Sequence, residues 1–156
     1  MAEADKVVAQ VEEFIEQAPL PLKNSNWGED YTFPNLSELS SAELSTLLSN
    51  LAGWSGYAIR LMMKVGIAKD IMEDTLSAKI AKNTVTIMIK YPKATKDFVL
   101  GKILTEDIEA IELKTKLISK NAELEALRRL TSLYELQLNA VSREVSRRSL
   151  DIKQGF

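Results

Sequence analysis

The 156-residue sequence predicts an all-α fold: a long antiparallel helical hairpin or coiled coil, preceded by a short helix and assembled into oligomers. Three observations lead there. Six Gly, four Pro and 6% aromatics are a poor supply for the turns of a sandwich or barrel, whereas Leu, Ala, Glu and Lys suit long helices. No proline follows Pro92. Apolar residues recur at alternating steps of three and four, the spacing of a coiled-coil seam. A chain of this length buries one core, so one structural unit is expected, with residues 1–34 as an acidic N-terminal helix and irregular arm and 35–156 as the hairpin.

Over residues 3–17, Val7, Val8, Val11, Phe14 and Ile15 form one stripe with Glu12, Glu13 and Glu16 opposite, which predicts a short amphipathic helix. Pro19 and Pro21 end it, and the stretch to Pro34 has turn residues without periodicity. Ser40 and Glu43 fit a capping box, so a long helix starts there. Leu44, Leu48, Leu51, Ala58, Leu61, Val65, Ala68 and Met72 supply its seam, with one seven-residue gap that contains Trp54. Gly53, Gly56 and Gly66 interrupt this helix and imply either close approach by a neighbouring helix or local flexibility.

Between Asn83 and Pro92, Val85, Ile87, Ile89 and Tyr91 alternate with Thr84, Thr86, Met88 and Lys90. That period of two fits a short strand or hairpin tip, but a strand without a partner in the chain needs an oligomer interface to complete it, which weighs toward helix or turn. A last helix is expected from about Thr95 to Ile152, folded back on the first around Tyr91-Pro92. Two helices offer too little interior for so many Leu and Ile, so the surplus predicts self-association.

Charge and residue types narrow the function. Without Cys or His the chain lacks thiolate nucleophiles, imidazole bases and the usual zinc and haem ligands. No glycine-rich loop ends in Lys-Ser/Thr, so nucleotide hydrolysis is not expected either. Glu106, Asp107, Glu109 and Glu112 could be imagined as a hard-metal or acid/base cluster, but acids in early helical turns more simply complement the helix dipole. The expectation is a non-enzyme without cofactor or metal. The N-terminus is acidic and no stretch approaches about 18 apolar residues, which predicts a soluble, cytoplasmic protein that makes no membrane contact.

The net charge of −2 hides an asymmetry. Residues 1–50 hold two Lys against nine acids, whereas residues 51–103 hold nine Lys or Arg against four acids. Single-strand binders combine cations with stacking rings, and Arg60, Lys64, Lys69, Lys79, Lys82, Lys90, Lys93, Lys96 and Lys102 lie beside Trp54, Tyr57 and Tyr91. Trp54, Tyr57 and Arg60 at steps of three, with Lys64 a turn beyond, could line one helical surface for bases and phosphates. The competing reading puts the aromatics in the core and the lysines on a solvated face. Arg143, Arg147 and Arg148 offer planar forks for phosphate or, equally, caps for the final helical turn.

Phe33-Pro34-Asn35-Leu36, the Ser-Glu-Leu and Ala-Glu-Leu steps, Gly53-Trp54-Ser55-Gly56-Tyr57 and the terminal Val-Ser-Arg-Glu-Val-Ser-Arg-Arg together resemble small helical proteins of tailed phages, over roughly residues 33–148. Their layout is similar to recombination mediators of the UvsY type. The resemblance implies a ring-forming protein of the infected host cell that binds single-stranded DNA and helps load a RecA-like recombinase onto strands covered by a single-strand-binding protein. It also points to the basic stretch Lys79-Ile80-Ala81-Lys82, with Lys64 and Lys69 before it, as DNA-binding. The acidic N-terminal arm and the β-branched run around Val85 depart from that pattern. The second expectation is a non-enzymatic phage scaffold or adaptor that works through its surplus Leu/Ile face.

Overall fold

The computed structural model describes residues 33–154 together with Ala9 and Glu13. Most of the expected 3–17 helix and the stretch leading to Pro34 lie outside the described residues. Three α-helices follow a short 3-10 turn at Leu36–Glu38: α1 (Ser41–Lys90), α2 (Lys96–Glu106) and α3 (Ile108–Gln154). No strand occurs among the described residues, so the chain is all-α. No described helix is long and apolar enough to cross a membrane.

The start of α1 follows the local chemistry. The Ser40 N–H donates to Glu43 Oε2 at 2.7 Å and the Glu43 N–H donates to Ser40 Oγ at 3.2 Å, a reciprocal box that satisfies two otherwise orphaned donors. Hydrogen bonds from Ser40 to the carboxylate, from its side chain first and its backbone N–H second, hold the Glu43 carboxyl below its ordinary range. The helix then runs through the β-branched stretch to Lys90, where Thr84 Oγ1 donates to the Ile80 carbonyl instead of joining a ladder. The strand alternative for residues 84–91 is therefore not realised. Pro92 ends the helix, because its ring disfavours helical backbone at the residue before it.

The single last helix expected from Thr95 to Ile152 is two helices. Thr95 caps α2 by accepting from the Phe98 N–H at 3.2 Å. At Asp107 the backbone leaves the helical region (φ −89°, ψ 102°). Its Oδ1 accepts from the Ala110 N–H at 3.1 Å and so caps α3, while Oδ2 accepts from the Asn83 amide of α1 and lies 3.6 Å from Lys79 Nζ. An aspartate that offers the backbone a side-chain acceptor competes with the helix interior, and Asn83 and Lys79 hold it in that role.

Two compact units divide the described chain, one within residues 63–124 and the other formed by 33–62 with 125–154. In the second, Leu44, Leu47, Leu51 and Ala58 of α1 pack with Tyr134 and Val141 of α3. The seven-residue gap in the predicted seam is filled by Ser55, only 7% exposed, and not by Trp54. Leu48, Leu61, Ala68 and Met72 of the predicted seam are half-buried, and Leu47 takes a fully buried place. In the first unit, Val99 and Ile103 of α2 and Ala110 of α3 form the core, against Leu76, Ile80 and Ile87 of α1. Along α3 the buried positions other than Glu123 keep a heptad, with Ala110, Leu117, Leu124 and Thr131 on one step and Leu127, Tyr134 and Val141 on the other. A Cβ built at Gly53, Gly56 or Gly66 meets nothing within 4 Å among the described residues, so these glycines do not serve close approach there.

Candidate nucleic-acid interface

The cations and rings singled out by sequence separate into three groups. Trp54 is half-buried, with its ring centroid 6.4 Å from that of Tyr134, and both it and Tyr57 pack on the core of their unit. The stripe expected from Trp54 through Tyr57 thus has its aromatic faces committed to packing, while Arg60 stands exposed beside it.

Four lysines come next. Lys69 pairs with Glu73 at 3.1 Å and more loosely with Asp70 at 3.9 Å. Lys79 binds Glu109 and lies near Asp107, and hydrogen bonding to Glu109 is the main reason its pKa is raised. Burial pushes the Asp107 carboxyl up, but the Ala110 N–H, the Asn83 amide and Lys79 outweigh it and leave that carboxyl below its ordinary range. These contacts tie α1 to the α2–α3 junction. Lys64 and Lys82 are exposed and make no ion pair among the described residues. Their spacing is five whole helical turns, so they lie on one line along α1.

The arginines also divide. Arg148 donates from Nη1 to the Leu39 carbonyl at 2.7 Å, from Nη2 to the Leu36 and Ser37 carbonyls at 2.9 and 3.4 Å, and from Nε to Glu144 at 2.8 Å. It fastens the segment before α1 to the end of α3. Arg147 pairs with Glu144 at 2.8 Å and with Asp151 at 2.7 Å. Hydrogen bonds from both arginines take the Glu144 carboxyl down to about 2. Arg143 is exposed and has no ion pair among the described residues.

A different place brings charge and exposed rings together. At the corner between α1 and α2 the Tyr91 N–H makes the last helical bond to the Ile87 carbonyl at 2.8 Å, and the Ala94 N–H closes the turn on the Tyr91 carbonyl at 3.0 Å. This turn sets Tyr91 edge-on to Phe98, with centroids 5.7 Å apart and planes at 69°. The two rings are 45% and 49% exposed, more than a packing role needs. Lys102 Nζ stands 5.4 Å from the Tyr91 ring centroid and 2.6 Å from Glu106. Lys90, Lys93 and Lys96 are exposed and have no ion pair among the described residues. Together with Tyr91, Pro92 and Phe98, Lys90 and Lys93 line a shallow cavity of ≈ 620 Å³.

Tyr91 and the four lysines were readable as candidates from composition, but Phe98 was not. The only local signal was Thr95 as a cap, which starts α2 and so puts Phe98 in its first turn. The acidic cluster near the start of the last helix disperses: Glu106 goes to Lys102, Glu109 to Lys79, and Asp107 to Asn83 and the Ala110 N–H. Among the described residues no group of three or more potential metal ligands converges. No protein-family model, no curated protein and no solved structure matches this chain.

Proposed function

We propose that the protein is a non-enzymatic, self-associating binder of single-stranded DNA that acts as a recombination mediator, handing strands covered by single-strand-binding protein to a RecA-like recombinase. The α1–α2 corner is its primary contact. The observation that carries this reading is the exposed Tyr91–Phe98 pair, with Lys90 and Lys93 lining the same shallow cavity and Lys102 beside the Tyr91 ring. Rings left open to solvent among cations offer stacking to any base and neutralisation to the phosphates beside it. An antiparallel hairpin is part of the same reading. It is supported by contacts that run in opposite chain directions, Trp54 to Tyr134 and Leu39 to Arg148.

The test is an anisotropy titration of a labelled single-stranded oligonucleotide. If the three lysines without an ion pair, Lys90, Lys93 and Lys96, meet phosphates, affinity falls about twenty-fold between 50 and 200 mM salt. Removing one stacking ring, in Tyr91→Ala or Phe98→Ala, costs about tenfold. Lys79→Ala, which removes a lysine already held by Glu109, changes binding less than Lys93→Ala. Absence of binding at low salt would favour the second reading, a phage scaffold or adaptor. That reading draws on the exposed Met63, Ile67 and Ile71 of α1.

A further inference from the structure

Little holds α2 in place. At 11 residues it is shorter than the roughly 12–15 that an isolated helix needs to persist in water, so its helicity depends on packing. Of its side chains only Val99 and Ile103 are buried. Two clefts border that contact. One of ≈ 370 Å³ opens between Ile80, Thr84 and Met88 of α1 and Val99 and Leu100 of α2, and one of ≈ 190 Å³ between Asn83 and Ile87 of α1 and Lys102 and Glu106 of α2. A closely packed helix pair would fill such space with interdigitating side chains. Gly101 stands in the middle of α2, and a Cβ built there meets nothing within 4 Å among the described residues, so packing does not require a glycine and its effect is to weaken the helix. Both ends of α2 are breaks in the helical path, the turn at residues 91–95 and Asp107. The second is pinned from α1, where the Asn83 amide donates to Asp107 Oδ2 and Lys79 Nζ lies 3.6 Å from it.

We propose that α2 is a strap that opens by local unfolding as one cooperative unit, bounded by the 91–95 turn and Asp107, with the Asn83–Asp107 contact as its latch. α1 and α3 stay helical while it opens. Segments with few buried apolar contacts are where a native protein opens first. The opening acts on the α1–α2 corner because that site is divided by the edge of the strap. Lys90, Tyr91 and Lys93 precede α2, whereas Lys96, Phe98 and Lys102 belong to it. An open strap takes Phe98 away from Tyr91. A strand that stacks on both rings therefore binds the closed form and holds the strap shut. This last step rests on the nucleic-acid reading of the corner, and the opening itself does not.

Amide hydrogen exchange on the full chain, first without ligand, tests it. The amides of residues 100–106, bonded within α2, should share one rate of opening and exchange about tenfold faster or more than those of residues 65–80 in α1. Gly101→Ala, which adds helix propensity and so keeps the fold, slows α2 about fivefold and leaves α1 unchanged. Asn83→Ala, which releases the latch, speeds α2 by about the same factor. A single-stranded oligonucleotide at about a hundred times its dissociation constant slows α2 about a hundredfold. Rates in α2 equal to those of α1, a spread of unrelated rates within α2, or a Gly101→Ala variant that exchanges as fast as wild type would each overturn the strap. An oligonucleotide that binds by anisotropy yet leaves the α2 rates unchanged would overturn its link to the corner. If no oligonucleotide binds, the nucleic-acid reading falls while the ligand-free rates still decide the strap.

Discussion

At Arg148 one guanidinium meets three backbone carbonyls and a carboxylate, which only a planar fork with several donors can do. Arg148→Lys keeps the charge but supplies a single ammonium, so it should cost about 1–2 kcal/mol of stability, read as a lower melting temperature. An unchanged melting point would show that the segment at Leu36–Leu39 is held by its apolar contacts alone. Its partner Glu144 adds a pH dependence. Arginine hydrogen bonds take its carboxyl from 4.5 down to about 2, so folding favours the charged form. The stabilisation is complete above about pH 4.5 and is lost as pH falls through about 2. The difference in melting temperature between wild type and Glu144→Gln should therefore shrink across that window, whereas a constant difference would mean that the contribution is not ionic. The structural role of Arg148 was legible in one respect: it stands seven residues after Val141 and fourteen after Tyr134, on the buried step of the heptad. Its partners were not legible, because carbonyls more than a hundred residues away leave no trace in local spacing.

Among the elements, the start of α1 was fully legible, because a capping box is a local device whose partners sit three residues apart. The β-branched run at residues 84–89 kept a strand open beside the favoured helix or turn, and helix prevails because period two in the side chains carries little weight against a helix already propagating from Ser41. The break at Asp107 was hidden for the opposite reason. The apolar pattern passes through it without interruption, and what singles out Asp107 is its attachment to Asn83 and Lys79, some 25 residues earlier. The glycines of α1 yield a sharper test. Because nothing lies within 4 Å of a Cβ at Gly53 or Gly56, alanine there gains helix propensity without a clash. Gly53→Ala and Gly56→Ala should each stabilise by about 1 kcal/mol, or about 2–4 °C in a chain of this size. A fall in melting temperature would show that another subunit's backbone comes close to this face of α1.

For the molecule as a whole, the distribution of charge matters more than its sum. A net charge of −2 is the residue of a basic centre and an acidic N-terminal third. An anion approaching from solution meets the summed field first and the lysines of the α1–α2 corner only within a Debye length, about 10 Å at 0.1 M salt. Acidic residues far along the chain should then slow encounter with single-stranded DNA without weakening the bound complex. Replacing Glu3, Asp5, Glu12 and Glu16 by their amides moves the net charge to +2, since four negative charges are removed from −2. The expected result is a faster association rate at low salt, an effect that fades at about 200 mM because screening removes the long-range field, with little change in dissociation rate. A change confined to the dissociation rate would mean that the acidic segment touches the bound strand or the basic surface directly, and would turn it from a source of field into a competitor for the site.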